Sequence, residues 1–308
     1  MSLVVLDPGL QCTVQAGPRT GFRHAGVPMS GPADAVSMAL ANRLVERAPS
    51  DACLEITFGA ARFRFDTAMQ IGIAGAAAPI RIGAAERQSH RTLEVQAGET
   101  VEIGPTATGA RIYLSLSGDL QAQRFLGSES TYLPAAFGGI DGRALRKGDR
   151  IGISAGSAVK PIATPETLRF PILPSFALRA VPGPDLPDPA YFPWAETFTV
   201  SPRLSRMGAE IEGRLPVPDG GGALPSSAVF PGALQVTPQG RGYLLLVDGQ
   251  TTGGYPHLLQ VIRADRHLLG QLRAGSRVRF LYRTQDRAET DLRAKQAMLE
   301  DWIPGFRL

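Results

Sequence analysis

The run Tyr243-Leu-Leu-Leu-Val247, Asp248-Gly-Gln-Thr-Thr-Gly-Gly-Tyr-Pro256, His257 and Leu258-Leu-Gln-Val-Ile262 decides the architecture. Its outer segments are short apolar stretches of strand composition. A plain hairpin between them needs only about two to five turn residues. Here nine residues from Asp248 to Pro256 carry a carboxylate, an amide, two hydroxyls, a phenol and three glycines. Polar groups on a glycine-rich loop between core strands are a usual way for a rigid fold to present a binding site. The competing reading is a wide turn whose polar groups satisfy its own backbone. The donors and acceptors exceed what such a turn requires.

Working outward, a second pattern recurs three times. An aliphatic residue is followed by glycine three places on, then by apolar residues at positions six and eight. The copies are Val95-Gln-Ala-Gly98-Glu-Thr-Val101-Glu-Ile103, Leu145-Arg-Lys-Gly148-Asp-Arg-Ile151-Gly-Ile153 and Leu272-Arg-Ala-Gly275-Ser-Arg-Val278-Arg-Phe280. Each reads as a turn in which glycine supplies a permissive backbone, followed by a period-two strand. With Leu54–Phe58, Gln70–Ile73 and Arg111–Leu116 they predict a mainly β, mostly antiparallel protein. Short strands and frequent glycine turns favour barrels or sandwiches.

Helix is sparse. A first helix is expected from a Ser30 cap through Pro32 and Asp34 to about Glu46, with Val36, Leu40 and Leu44 at four-residue spacing. A second is expected over Asp286 to Met298, and a brief one near Arg266 to Leu269. Nine of the 25 prolines fall between Pro161 and Pro193. Such a stretch makes a poor core and a good connector. The expected division is therefore an N-terminal lobe over 1–160, a connector over 161–193, and a C-terminal lobe with a terminal helix over 194–308. Two lobes also suit a length of 308 residues.

Composition narrows the function classes. Hydrophobic content of 44% and charged content of 19% describe a globular chain with a real core. No apolar run approaches the roughly eighteen residues of a membrane span, and the N-terminus lacks a basic, cleavable leader. Cys12 and Cys53 have no metal-ligand spacing and read as buried small hydrophobes in a reducing cytoplasm. The net charge of +4 rests on arginines that alternate with apolar residues, as in Arg62-Phe-Arg-Phe65. That is the wet face of strands, and it argues against nucleic-acid binding. Lysine occurs only at Lys147, Lys160 and Lys295.

Standard phosphate-loop, zinc-helix and nucleophile-elbow signatures are absent. The four histidines are isolated, and no metal site is expected. Three polar clusters remain. The first, Gln15 to Asp34, carries Arg19, Arg23, His24 and Ser30 on a loop entering a helix, which suits a carboxylate, bicarbonate or phosphate, or simply a capped helix with solvated arginines. The second joins Leu126-Gly-Ser-Glu-Ser-Thr131 to Phe137-Gly-Gly-Ile-Asp-Gly-Arg143, where the glycines can equally mark turns. The third joins the opening loop to Ser205-Arg-Met-Gly208 and Gln235.

Taken together, these phrases resemble the family of the C subunit of bacterial 5-oxoprolinase and the carboxyltransferase region of urea carboxylase, also known as allophanate hydrolase subunit 2 or the KipI-antagonist family. The resemblance runs through Val14 to Asp34, Ala41-Asn-Arg-Leu-Val45, Leu54-Glu-Ile-Thr57, Leu126 to Thr131 and Gly138 to Arg143. It continues through Ser205 to Gly208, Pro231-Gly-Ala-Leu-Gln235 and Asp248 to Pro256, in family order over roughly residues 10 to 285. Thr251-Thr-Gly-Gly-Tyr-Pro256 is its most specific phrase. Departures are Ala16 where the family often has Asp, Pro18 for a glycine, Ser205 for Asn, and Val236-Thr-Pro-Gln for a Val-Pro pair.

The resemblance implies two lobes built on cyclophilin-like β-barrels with a few short helices. It implies a KipI-like B subunit as partner, a further hydrolase subunit, and ATP-dependent activation of a lactam or amide with ATP shared between subunits. In that reading Asp248, Thr251 and Thr252 carry the chemistry. Arg206, Gln235, Gln250, Tyr255, Arg143, Ser30 and Arg19 bind the substrate. One alternative is a carboxyltransferase acting on urea or a related amide, with biotin carried by a partner. The other is a non-catalytic module that titrates a KipI-like regulator.

Overall fold

The computed structural model describes residues 1–218 and 224–308. The chain divides into two compact units. One comprises Met1–Arg19, Ser30–Ile172 and Leu299–Phe306; the other comprises Thr20–Met29, Leu173–Met298 and Arg307–Leu308. The change of unit at Ile172 and Leu173 falls inside the proline-rich stretch.

The first unit is two sheets around one core. In spatial order, one sheet runs Arg150–Gly152, Ser2–Asp7, Ala61–Phe65, Thr100–Ile103, Ile80–Ile82, Ala85–Arg87. The other runs Gln11–Gln15, Cys53–Thr57, Arg111–Leu116, Met69–Gly75, Thr92–Val95. Their inward residues, among them Val5, Phe63, Val101, Leu54, Ile73 and Ile112, form a single cluster. Ala61–Phe65 alternates buried and exposed, as its Arg-Phe-Arg-Phe pattern requires. Cys12 and Cys53 are free thiols with no exposed surface.

Strands Cys53–Thr57 and Arg111–Leu116 are instead buried at every position. The cause is helix α1 (Ala35–Arg43), which packs on the outer face of this sheet. Gly72 makes that approach possible: a Cβ there would sit 2.3 Å from the Ala41 carbonyl oxygen.

Helix α1 is shorter than its periodicity suggests at both ends. Its cap is Asp34, whose carboxylate accepts the Ser37 N–H at 2.9 Å and the Ser37 hydroxyl at 2.6 Å. Ser30 has φ 52° and cannot serve as cap. The helix begins only after Asp34, whose backbone is extended (φ −122°, ψ 92°), and the N–H groups of Ala33 and Asp34 are held by Glu55 (2.8 Å) and Tyr113 (2.7 Å). At the other end Asn42 donates to the carbonyls of Ala48, Pro49 and Asp51 and turns the chain away.

The second unit is a closed seven-stranded barrel. Its circuit is Ser175–Pro182, His257–Val261, Ala233–Val236, Gly242–Leu245, Gly208–Glu212, Phe198–Leu204, Arg277–Tyr282 and back to the first. Only the closing pair, Ser175–Pro182 with Arg277–Tyr282, is parallel. Phe192, Phe198 and Phe280 meet in the core with ring centroids 5.7 to 6.0 Å apart. A 3₁₀ helix spans Arg263–Gln271, and α2 (Gln285–Glu300) follows the last strand.

The three recurrent turns fold alike. Gly98, Gly148 and Gly275 have φ of 83°, 92° and 82°, and each is followed by a strand. No atom lies within 4 Å of a Cβ built on any of them. The backbone angle, not crowding, selects glycine there.

Candidate functional site

The Asp248–Pro256 segment is not a self-contained turn. Its first residue and the chain just before it zip onto the Ser205–Met207 loop: the Asp248 N–H donates to the Arg206 carbonyl (2.9 Å), and the Leu246 N–H to the Met207 carbonyl (3.0 Å). Its second part makes a two-stranded ribbon, Thr252–Gly253 pairing with Ser227–Ala228. The Val229 N–H donates to the Thr251 carbonyl at 3.1 Å and the Leu224 N–H to the Gly254 carbonyl at 2.7 Å. Backbone satisfaction therefore comes from two other segments, and the polar side chains are left for other work.

Two side-chain braces hold this ribbon. Arg206 and Asp248, 4% and 1% exposed, form a two-point ion pair. Nε donates to Oδ2 at 2.7 Å and Nη2 to Oδ1 at 3.2 Å. Gln235, also buried, donates to the Tyr255 carbonyl at 2.9 Å and accepts from Gln250 Nε2 at 3.3 Å. Gly253 lies against it: a Cβ there would meet Gln235 Nε2 at 2.6 Å. Thr251 is buried, whereas Thr252 and Tyr255 are exposed.

Segment Thr20–Met29 belongs to this same unit. Arg23 donates to the Val229 carbonyl and, at 3.4 Å, to that of Thr251. Its guanidinium carbon sits 4.6 Å from the Phe230 ring centre. Arg23, from the first polar cluster, thus reaches the ribbon. Its place could not be read from sequence, because Val229 lies 206 residues away.

Three further predicted residues lie in the first unit. Arg19 is 1% exposed and donates to the carbonyls of Phe125 (2.9 Å) and Ser130 (2.8 Å), over the Phe137 ring. The hydroxyls of Leu126–Thr131 serve backbone too. Ser130 Oγ accepts from the Ala16 N–H and donates to the Ala16 carbonyl, and Thr131 donates to Val14. Ser30 is buried with its hydroxyl unpartnered. Arg143 binds Asp149 through two N–H groups, at 2.7 and 3.0 Å, and that bond raises its pKa further. Arg206, Gln235, Asp248, Gln250, Thr251, Thr252 and Tyr255 are thus gathered in one unit, while Arg19, Ser30 and Arg143 are in the other.

A buried polar network in the first unit escaped sequence reading. Glu55 accepts from Tyr113 Oη at 2.7 Å and faces Arg111 at 3.5 Å. Burial, then the charges of Glu55 and Asp34, hold the Tyr113 phenol well above its ordinary pKa, so it remains a donor. The available signal was the polar alternation in Leu54-Glu-Ile-Thr and Arg-Ile-Tyr-Leu-Ser-Leu. Those polar positions form the face under α1 and its entry loop. Among the described residues no group of three or more His, Cys, Asp or Glu is arranged to hold a metal. No helix among them is long and apolar enough to cross a membrane.

Residues 25–282 match the family described as carboxyltransferase domain, subdomain A and B. The chain belongs to this carboxyltransferase-domain family. It is 30% identical to the 5-oxoprolinase C subunit of Escherichia coli (strain K12) over 96% of its own length and 94% of that protein. It is 29% identical to the urea amidolyase of Lachancea kluyveri over 90% of this chain, which is only 17% of that protein. The crystal structure of the K. lactis urea amidolyase superposes with a TM-score of 0.89 at 27% identity, covering 100% of this chain and 20% of that one. The family match takes in most of both compact units, including Arg206, Gln235 and the whole Asp248–Pro256 ribbon.

Proposed function

We propose that this carboxyltransferase-domain protein is a subunit of an ATP-dependent 5-oxoprolinase, acting with a KipI-like subunit and a further hydrolase subunit to open 5-oxoproline to glutamate. The observation that carries the reading is the braced ribbon Asp248–Pro256, fixed by Arg206 and Gln235 within a chain that matches a 5-oxoprolinase C subunit almost end to end. Amide resonance makes a lactam a poor electrophile. Phosphorylation of its oxygen by ATP would create a leaving group, and the protein's part is to hold the ring and meet developing charge.

Asp248 is assigned to orientation. Both its oxygens accept from Arg206, so it fixes Arg206 and the ribbon. The hydroxyl of Thr252 and the amide of Gln250 are assigned to the lactam's polar atoms. The test is glutamate formation from 5-oxoproline and ATP by the purified chain with its two partner subunits. Turnover in the complete mixture and none without this chain is expected. Turnover unaffected by its omission would overturn the assignment.

The likeness to the K. lactis urea amidolyase favours a second reading, carboxyl transfer to urea or a related amide. It requires a biotin carrier on a partner. Urea-dependent ADP formation by a streptavidin-positive complex would select it over the first. Binding of a KipI-like protein without turnover on either substrate would leave the regulator reading.

A further inference from the structure

Arg23, Arg263 and Arg266 all belong to the barrel unit, and none has a carboxylate partner among the described residues. Arg263 and Arg266 are three apart on the 3₁₀ helix Arg263–Gln271, a spacing that stacks their side chains on one face. The one acid between them, Asp265, is committed elsewhere: it binds Arg179 through both oxygens, at 2.9 and 2.6 Å. Arg266 is half-buried and its Nε has no hydrogen-bond partner. Arg23 spends its hydrogen bonds on the carbonyls of Val229 and Thr251, which neutralise no charge.

Arg23 and the 3₁₀ helix flank one segment: the Arg23 guanidinium lies over the Phe230 ring, and Val261, two residues before Arg263, donates its N–H to the Gly232 carbonyl at 2.8 Å. Burial first, then the proximity of Arg263 and Arg23, pull the Arg266 guanidinium down to about 10. Burial also lowers Arg23. A partly desolvated guanidinium cluster without a counter-charge is costly by itself, and an oxyanion relieves it. A single carboxylate would leave two positive charges unmatched, whereas a phosphoryl group brings about two negative charges and three acceptor oxygens.

We propose that Arg23, Arg263 and Arg266 form a binding site for a phosphoryl group beside the Thr251 backbone. The site needs no assumption about which amide the complex cleaves. Its phosphoryl group can belong to a nucleotide or to a phosphorylated small acid.

The test is calorimetric titration of the full chain, at constant ionic strength, with pyrophosphate, ATP, inorganic phosphate and acetate. Pyrophosphate and ATP are expected to bind, with acetate at least about tenfold weaker. Arg266→Gln should weaken pyrophosphate about tenfold, and the exposed Arg263→Gln by a smaller factor. Without anion, Arg266→Gln should melt at the wild-type temperature or above it, since an uncompensated charge has been removed. A purely structural arginine would give a lower melting temperature. ATP binding tighter than pyrophosphate identifies a nucleotide site; equal binding means that only the phosphoryl group is read. Failure of the wild type to bind pyrophosphate or ATP overturns the proposal. So does equal binding by the wild type and an Arg263→Gln/Arg266→Gln double variant.

Discussion

Arg206 and Asp248 are separated by 42 residues and meet as a two-point ion pair with almost no exposed surface. The Asp248 N–H closes the same junction by donating to the Arg206 carbonyl at 2.9 Å. Side chain and backbone together tie the loop after Gly242–Leu245 to the loop before Gly208–Glu212. A carboxylate so engaged is a geometric anchor.

Truncating that anchor strands a buried guanidinium from its carboxylate. Asp248→Ala should cost about 3–5 kcal/mol in urea denaturation. Replacing both partners, as Arg206→Met/Asp248→Leu, should recover most of that loss, because two apolar groups carry no desolvation penalty. The double variant should nevertheless remain inactive in 5-oxoproline-dependent ATP hydrolysis. A stable and active double variant would remove the pair from function.

Gly253→Ala is expected to separate activity from stability. The added methyl would lie 2.6 to 3.1 Å from the Gln235 amide atoms, and only the end of that side chain need move. Moving it breaks the bond to the Tyr255 carbonyl and loosens Gln250. Loss of one hydrogen bond predicts a stability change of about 1 kcal/mol. Glutamate formation by the assembled complex should fall by about tenfold or more, given the sensitivity of catalysis to small misplacements. A parallel fall in melting temperature and rate would instead mark the residue as structural.

Much of this architecture was legible because its signals are local. The three glycine turns, the period-two strands after them and the C-terminal helix all depend on neighbours within a few residues. The α1 boundaries were not, because Glu55 and Tyr113 claim the N–H groups of Ala33 and Asp34 from across the sheet. The same limit applies to the site. Thr251, Thr252 and Gln250 stand out in a conspicuous phrase, but nothing local shows that Asp248 is bound to Arg206 or that Arg23 reaches Thr251. Family phrases also carry residues that brace the chain: Arg19, Ser130 and Asn42 each donate to backbone carbonyls.

The contact between α1 and its sheet yields a stability prediction. A Cβ at Gly72 would lie 2.3 Å from the Ala41 carbonyl oxygen and 2.9 Å from Leu44 Cβ. The first is backbone and cannot rotate aside, so Gly72→Ala must push the helix outward. The expected loss is about 1–3 kcal/mol or somewhat more, measured by urea denaturation. An unchanged unfolding midpoint would show that the helix rides freely on this strand.

Acid should destabilise the fold through its buried histidines. Burial, with the nearby charge of Arg169, lowers His90 from its ordinary value of 6.5 to about 4. Burial lowers His257, and burial with Lys295 lowers His267, in the same direction. In each case the unfolded chain takes up its proton first, so this stability is complete above about pH 6.5 and drains away as the pH falls toward 4. His90 alone accounts for about 3 kcal/mol across that window. His90→Asn isolates the term: its φ of 61° suits asparagine, whose amide can still reach the Thr164 hydroxyl and does not titrate. Between pH 7 and 4 the wild type should lose about 3 kcal/mol more unfolding free energy than His90→Asn. All other titrating groups are common to both chains and cancel in the difference. Parallel curves would mean that His90 is protonated as readily in the folded chain as in the unfolded one, and that its contact with Thr164 does not depend on a neutral ring.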